Sequence, residues 1–265
     1  MNDRKLIALD LDGTLLDSKK NISNKTKNYL KQLENEGHII CLTSGRPPRS
    51  IKSHYNEIGL HGPFIGYNGD YVFNSKNNSV TIFKMMPKNF FIDLFNKFKN
   101  FDYFVAEDVE NLYLESDKTI FDDFLNPHDI NIEIGKVPDI FKGDICSCFF
   151  RCIDSEKRNN ILNFVSNYKE IEMRYWYDLP EFGEFFPSSV SKRTGLELIQ
   201  KEFNINDEDI IAFGDGENDY EMLSFAHDSF AMKNGSNELK KHAKKETAYD
   251  NDHEGVYFEL KKLLG

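Results

Sequence analysis

The chain has 265 residues, of which 40% are hydrophobic and 29% are charged, and its formal net charge at pH 7 is −11. This length can bury a large core and hold one large or two ordinary domains, and the composition is globular rather than disordered or fibrous. The acidic charge argues against non-specific binding to nucleic acid or to anionic membranes, since both require basic patches. An anionic substrate would therefore need local cations.

Two carboxylates follow the first predicted element. The apolar run of residues 6–9 predicts a buried parallel strand, and it ends in Asp10-Leu11-Asp12-Gly13-Thr14. Such a pair is costly to bury unless it binds a cation or takes part in chemistry, and ligands of open α/β sheets bind at the carboxyl ends of strands. A helix N-cap at Asp12 or Asp17 is the alternative interpretation.

A helix and a second strand follow. Ser23 is placed to cap a helix that ends at Gly37, and residues 38–42 predict the next strand of a βαβ unit. That strand ends in Thr43-Ser44-Gly45-Arg46, which brings two hydroxyls, backbone N–H groups and a guanidinium to the same sheet edge. These groups bind anions, although an ordinary strand-to-helix turn has the same pattern. Which of the two hydroxyls would bind an anion stays open.

The middle of the chain predicts an insertion. Residues 70–83 have the pattern of a hairpin, which we expect to act as a flap over the site. From residue 84 to residue 186 aromatic strands alternate with helices, including a helix through Phe121 and a strand ending at Tyr177. This pattern predicts an α+β domain with its own core. The predicted domains are a discontinuous core, residues 1–83 and 187–265, and an inserted domain, residues 84–186.

Beyond the insertion, Lys192 opens a predicted helix and residues 210–214 predict another buried strand. That strand runs into Asp215-Gly216-Glu217-Asn218-Asp219, so a second strand ends in carboxylates. Mg²⁺ requires hard oxygen ligands, and Asp10, the Asp12 backbone carbonyl and Asp215 are the simplest set. Asn218 and Asp219 would each either contact the metal through water, orient Lys192 or cap the next helix, and Asp219 is the stronger candidate for the shell of the metal.

Taken in order, these segments resemble the four motifs of the haloacid dehalogenase (HAD) superfamily of phosphohydrolases. Within it the chain is most similar to the Cof-type subfamily with a type IIB cap, because Asn68-Gly69 follows the second motif and the runs 231–234 and 253–256 follow the fourth. The resemblance covers residues 4–83 and 187–262. It implies an α/β fold, a Rossmann-like core whose parallel sheet is flanked by helices, with an inserted α+β cap that determines substrate specificity.

The resemblance also implies an Mg²⁺-dependent phosphatase that hydrolyses small phosphomonoesters, such as sugar phosphates, through an aspartyl-phosphate. Asp10 would be the nucleophile and Asp12 the general acid and base, with a pKa raised by its surroundings. The implied catalytic residues are Asp10, Asp12 and Lys192. The implied phosphate- and substrate-binding residues are Ser44, Gly45, Arg46, Asn68, Gly69 and Asn218. The implied metal ligands are Asp10, Asp12, Asp215 and Asp219.

The sequence leaves two other functions open: a phosphomutase of the same superfamily, and a catalytically silent sensor of phosphorylated metabolites. Arg193 stands where related sequences often have glycine, so it would either crowd the site or contact phosphate. The predicted partner is a small phosphorylated molecule, with no nucleic acid or membrane partner. Residues 1–5 lead directly into the first strand, so we expect a cytoplasmic protein, monomeric or weakly homo-oligomeric.

Overall fold

The computed structural model describes residues 4–116, 122–126, 129–176 and 179–265. It divides the chain into two compact units, one made of the residues up to Ile82 together with Ser191–Gly265, the other of Phe83–Val190. The boundaries predicted from the sequence follow residues 83 and 186. Phe121 of the predicted helix and Tyr177 of the predicted strand lie outside the described residues.

Strands and helices follow one another along both units. The strands are β1 (Leu6–Asp10), β2 (Ile39–Thr43), β3 (Phe64–Gly66), β4 (Tyr71–Asn74), β5 (Ser79–Ile82), β6 (Tyr103–Glu107), β7 (Asn111–Leu114), β8 (Asn131–Ile134), β9 (Ser147–Arg151), β10 (Ile171–Tyr175), β11 (Phe182–Pro187), β12 (Ile210–Gly214), β13 (Asp228–Ala231) and β14 (Lys245–Glu246). The helices are α1 (Asn24–Asn35), α2 (Pro48–Ile58), α3 (Lys88–Lys97), α4 (Asp122–Leu125), α5 (Ser155–Val165), α6 (Lys192–Phe203), α7 (Tyr220–Phe225) and α8 (Gly255–Leu264). None of the helices in the described parts of the chain is long and apolar enough to cross a membrane.

The first unit is built on an eight-stranded sheet in the order β14-β13-β12-β1-β2-β3-β4-β5. Its strands are parallel from β14 to β3, whereas β4 and β5 pair antiparallel at one edge. The hairpin predicted over residues 70–83 is therefore present, but it extends this sheet instead of forming a separate flap. Its alternating pattern is satisfied by ordinary antiparallel pairing with β3.

Alternate residues of β1 pack into two different cores. Ile7 and Leu9 belong to one core, together with residues of α1, α2 and α8. Leu6 and Ala8 belong to the other, together with residues of α6 and α7. A strand buried on both faces needs a continuous apolar sequence, which is why residues 6–9 lack alternation. The predicted class, an α/β fold with a parallel sheet flanked by helices, is confirmed.

The helix predicted after β1 begins and ends close to the expected residues. Ser23 caps α1, and its hydroxyl accepts a hydrogen bond from the backbone N–H of Thr26 at 3.1 Å. The buried face of α1 carries Tyr29, Leu30 and Leu33, the residues that helical spacing brings to one side. Packing of this face holds α1 against the sheet, so that the chain after α1 runs back and β2 pairs with β1.

The second unit has its own six-stranded sheet, in the order β10-β11-β9-β6-β7-β8. Most of its neighbouring strands are antiparallel, and β7 and β8 are parallel. Its core is rich in aromatic side chains, such as Phe90 and Phe91 of α3, Phe104 of β6 and Phe150 of β9. Their edge-to-face contacts fill the space between helix and sheet.

Candidate active site

The candidate site lies at one edge of the first unit's sheet. Asp10 is the last residue of β1, Thr43 pairs with it at the end of β2, and Asp215 follows the end of β12 on the other side of β1. Because these three strands are parallel neighbours, their carboxyl ends meet at this edge. Lys192, the first residue of α6, brings a cation to the same carboxylates.

Lys192 joins two of the carboxylates. Its side chain is 0% exposed, and its Nζ donates to Asp10 Oδ1 at 2.5 Å and to Asp219 Oδ1 at 2.6 Å. Burial alone would lower the pKa of Lys192, but the charges and hydrogen bonds of the two carboxylates raise it above its usual value. The lysine is therefore a fixed, buried positive charge beside Asp10.

Three carboxylates surround this single cation. One carboxylate oxygen from each of Asp10, Asp215 and Asp219 lies within 4.8 Å of the other two. Burial, followed by the nearby carboxylates, raises the pKa of Asp10 well above its usual range. Burial and the charge of Asp219 raise the pKa of Asp215 to about 7. With all three carboxylates ionised, the cluster would hold more negative charge than Lys192 compensates, and these hard oxygen donors suit a divalent cation.

The contacts of Asp219 are those of a cap. Its Oδ2 accepts from the backbone N–H groups of Asp215 and Gly216, both at 3.0 Å, while its Oδ1 accepts from Lys192. Of the interpretations left open by the sequence, the structure shows Asp219 holding Lys192 and capping the turn that precedes α7, whereas its side chain makes no cap hydrogen bond to α7 itself. Direct contact of Asp219 with a metal stays a prediction.

Asp12 pairs with two cations. Arg46, which is 1% exposed, donates from Nε to Oδ2 at 2.7 Å and from Nη2 to Oδ1 at 2.8 Å. Lys20 Nζ donates to the same Oδ1 at 2.6 Å. Burial alone would raise the pKa of Asp12, but the hydrogen bonds and charges of Arg46 and Lys20 lower it below its usual value. The expectation of a raised pKa is therefore wrong for this arrangement.

The second motif separates the two hydroxyls. Ser44 Oγ accepts from the backbone N–H of Arg46 at 3.1 Å, so this hydroxyl lies within the turn after β2. Thr43 is fully buried and its hydroxyl lies 3.5 Å from the sulfur of Met222. The structure thus places Ser44, and not Thr43, with the polar groups of the turn.

The predicted substrate-binding residues of the Tyr67–Gly69 turn contact the other motifs. Asn218 Nδ2 donates to Asn68 Oδ1 at 2.9 Å, and the Asn68 backbone N–H donates to the Ser44 carbonyl oxygen at 3.0 Å. A Cβ atom at Gly45 would lie 2.9 Å from Asn68 Oδ1, and one at Gly69 would lie 1.9 Å from the Ser191 carbonyl oxygen. Close approach at both glycines draws the second, third and fourth motifs together.

Two polar contacts near the site were not predicted from the sequence, and the role of a third side chain, that of Arg193, was left undecided. Lys20 carried no motif signal, because it lies in an ordinary lysine-rich turn. Asn234 donates to the Gly13 carbonyl oxygen at 2.7 Å, and only its place in the run 231–234 could have indicated a role. Arg193 Nε donates a hydrogen bond to Glu197 Oε1 at 2.7 Å, one turn along its own helix, and the guanidinium lies over the ring of Phe225.

Comparison with known proteins is consistent with this geometry. A model of the haloacid dehalogenase-like hydrolase family matches residues 7–260. The chain belongs to this family. Its relatives include 5-amino-6-(5-phospho-D-ribitylamino)uracil phosphatase YitU from Bacillus subtilis, 31% identical over 265 residues, which cover 98% of this chain and 97% of YitU.

Solved structures of other proteins have the same fold. A haloacid dehalogenase-like hydrolase from Bacteroides thetaiotaomicron matches with a TM-score of 0.82 and 26% identity, covering 98% of this chain and 100% of that one. A protein from Geobacillus kaustophilus matches with a TM-score of 0.80 and 26% identity, covering 98% of both chains. The predicted family and the predicted enzyme class are confirmed: this protein is a HAD-type phosphatase, a hydrolase of phosphoric monoesters.

Proposed function

We propose that this phosphatase is Mg²⁺-dependent, acts on small phosphorylated metabolites, and works through an aspartyl-phosphate on Asp10. The observation that carries the proposal is the position of Asp10, buried at a strand end, bridged by Lys192 and beside a second carboxylate, Asp215. A buried group whose ionised form is opposed by burial and supported by a specific cation is typical of a reacting residue.

The donor set fits a hard divalent cation. Asp10 and Asp215 would hold it through carboxylate oxygens, with the Asp12 backbone carbonyl and Asp219 as further candidates. Thr14 Oγ donates to Asp215 Oδ1 at 3.1 Å, so this candidate ligand is already oriented. When bound, Mg²⁺ neutralises charge that would otherwise repel a phosphate from the carboxylates.

In the first half-reaction, an oxygen of Asp10 forms a bond to phosphorus while the bond to the leaving oxygen breaks. Asp12 passes a proton to that oxygen, and Lys192 stabilises the charge on the phosphoryl group. Arg46 and Lys20 hold Asp12 ionised in the resting site. We therefore infer that the substrate binds as its monoanion and that Asp12 transfers the proton of this monoanion to the leaving oxygen. The products are the alcohol and the aspartyl-phosphate.

In the second half-reaction, Asp12 takes a proton from a water molecule whose oxygen bonds to phosphorus. The bond between phosphorus and Asp10 then breaks, which restores the carboxylate and releases inorganic phosphate, and Asp12 gives its proton to the departing phosphate or to solvent water to return to its ionised form. The ionised form of Asp12, held by Arg46 and Lys20, is the form that this step requires. Ser44 and the backbone N–H groups after β2 are proposed to bind phosphoryl oxygens.

We infer that the second unit, residues 83–190, is the cap that determines substrate specificity, because it is a compact inserted unit with a core of its own. The name of YitU makes phosphorylated ribityl compounds the first substrate class to test. The cytoplasmic location and the monomeric or weakly oligomeric state stay predictions of the sequence, and gel filtration would test the second.

The experiment is phosphate release from a panel of sugar, ribityl and nucleoside phosphomonoesters, with Mg²⁺ and with EDTA. We expect release to require the cation and to fall by about a thousandfold or more in Asp10→Asn, which lacks the nucleophile. Glu217→Gln is the matched control, because Glu217 is an exposed carboxylate of the loop that contains Asp215.

Three outcomes would contradict the proposal. Activity near that of the wild type in Asp10→Asn would exclude Asp10 as the nucleophile. Full activity in EDTA after metal removal would exclude the cation. Transfer of the phosphoryl group between positions of the substrate, without net release of phosphate, would indicate a phosphomutase.

A further inference from the structure

The carboxylate of Asp12 receives three hydrogen bonds from two cations of different character. Arg46 is 1% exposed and donates to both oxygens, whereas Lys20 is 46% exposed and donates to Oδ1 alone. Arg46 belongs to the second motif, but nothing assigns a role to Lys20. The side chain of Asp12 itself is 32% exposed, so Lys20 contacts it from the solvent side.

We propose that Lys20 is a positioning residue, which together with Arg46 holds the Asp12 carboxylate in the one orientation that proton transfer requires. This role rests on the proposed function, in which Asp12 is the general acid and base. Proton transfer is sensitive to the orientation of the carboxylate, because donor and acceptor must lie within hydrogen-bond reach.

Lys20 lies in a hydrogen-bonded turn with an uncommon backbone conformation. Lys20 has a φ of +63°, in the left-handed region that lysine rarely adopts. Its N–H donates to the carbonyl oxygen of Asp17 at 2.9 Å, and Asp17 Oδ1 accepts from the N–H groups of Lys19 and Asn21, both at 2.8 Å. The turn that carries Lys20 is thus closed on itself.

This turn is also tied to a distant part of the first unit. The N–H and hydroxyl of Ser18 donate to the two carboxylate oxygens of Asp252, at 2.7 and 2.6 Å. A lysine on a freely moving turn would hold Asp12 weakly, since an exposed ion pair loses side-chain entropy on forming. The turn of Lys20 is anchored through Ser18, so the backbone is already positioned and only the lysine side chain has to be ordered for the contact.

Arg46 alone leaves the contact incomplete. Its Nη1 also donates to Ser50 Oγ at 3.1 Å, so its position is determined by α2 as well as by Asp12. Without Lys20, Oδ1 of Asp12 would keep the hydrogen bond from Arg46 Nη2, and a water molecule could take the place of the lysine. We expect such a carboxylate to remain in place but to sample more orientations, which slows proton transfer without removing the residue that performs it.

The test compares Lys20→Met with Lys19→Met, which removes the same charge from the neighbouring exposed position. With an alkyl phosphomonoester, whose leaving oxygen needs a proton, we expect Lys20→Met to lower kcat about tenfold, part of the roughly hundredfold or more that general acid–base catalysis provides. We expect Lys20→Arg to restore most of the loss, and Lys19→Met to match the wild type.

Rapid mixing with p-nitrophenyl phosphate provides a readout that a purely structural role would not affect. Its leaving group departs without help from a proton, so only the hydrolysis of the aspartyl-phosphate should slow in Lys20→Met. A burst of p-nitrophenol followed by a slow steady state is therefore expected in that variant, and acid quenching should trap the phosphorylated chain. Lys20→Gln should behave in the same way, which guards against an effect of methionine on folding.

The failure of this inference differs from the failure of the proposed function. If the wild type turns over and Asp10→Asn does not, but Lys20→Met and Lys20→Gln match Lys19→Met in kcat and in burst, Lys20 has no positioning role. An equal loss with alkyl and aryl esters, with no burst, would likewise overturn it. If wild type and Lys19→Met release no phosphate, the proposed function itself is wrong.

Discussion

At the scale of single residues, the two hydroxyls at the end of β2 have different neighbours. Ser44 Oγ lies in the polar turn and accepts from the Arg46 N–H, whereas the hydroxyl of Thr43 lies against the sulfur of Met222. The sequence alone did not distinguish them, because it does not show whether the strand ends before or after Thr43. A residue within the strand points into one face of the sheet, whereas a residue of the following turn does not. Of the two hydroxyls, that of Ser44 therefore stays our predicted phosphate-binding group.

This difference predicts unequal effects of removing each hydroxyl. In Ser44→Ala we expect kcat/KM to fall about tenfold to a hundredfold, because a hydrogen bond to a charged phosphoryl group is lost. In Thr43→Val, which keeps the shape of the side chain, we expect a change of less than about threefold. Steady-state kinetics with one phosphomonoester would measure both. Equal losses in the two variants would contradict the assignment.

At the scale of elements, the start of α6 and the turn at Tyr67–Gly69 are in direct contact. Gly69 has a φ of +115°, and a Cβ atom there would lie 1.9 Å from the carbonyl oxygen of Ser191, the N-cap of α6. Because Lys192 is the next residue, displacement of this cap would also displace the cation that holds Asp10. Close approach at Gly69 thus fixes the position of the Lys192 side chain, which lies on another element.

We predict that Gly69→Ala lowers the free energy of unfolding by about 3 kcal/mol or more and reduces kcat, because backbone strain and a clash act together. Gly37→Ala is the matched control, since Gly37 also has a positive φ, +101°, with no atom within 4 Å of the added Cβ. That variant should lose only about 1 kcal/mol, from strain alone, and keep its activity. Urea unfolding and phosphate release would measure the two effects. Similar results for both variants would show that the contact with Ser191 has no consequence.

At the scale of the whole molecule, the charge cluster links stability to pH. Burial and Asp219 raise the pKa of Asp215 to about 7, above the value near 4 of an unfolded chain. The folded state therefore holds this proton more tightly than the unfolded state does. The resulting stabilisation is fully present below about pH 4 and is lost as pH rises through about 7.

We predict that Asp215→Asn, which stays neutral at every pH, becomes more stable than the wild type as pH rises in EDTA. The difference should be near zero at pH 4 and about 4 kcal/mol at pH 8, since the difference between the folded and unfolded pKa values is then fully expressed. If Asp215 is a metal ligand as proposed, Mg²⁺ should reverse the order, because it would bind the wild type through the ionised carboxylate and stabilise it. Thermal unfolding across this pH range would test both. A difference that is independent of pH would contradict the raised pKa, and no effect of Mg²⁺ would argue against a metal ligand at Asp215.

The sequence by itself determined the order of elements and the polar residues at their ends. Apolar runs without alternation indicated doubly buried strands, and Asp10, Ser44 and Asp215 directly follow or end them. The spacing of apolar residues that indicates a buried strand or a helix face is visible within a short stretch of sequence, so these elements were predictable without the tertiary structure. The cap of α1 at Ser23 was predictable for the same reason.

Only the tertiary structure decided which long side chains meet. Arg46 lies 34 residues from Asp12 in sequence, yet its guanidinium holds that carboxylate ionised, which reversed the expected pKa shift. Asp219 was ambiguous until its partners, Lys192 and the two backbone N–H groups, were in place. Flexible charged side chains have many rotamers, and the partner that selects one comes from a distant segment through packing of the whole unit.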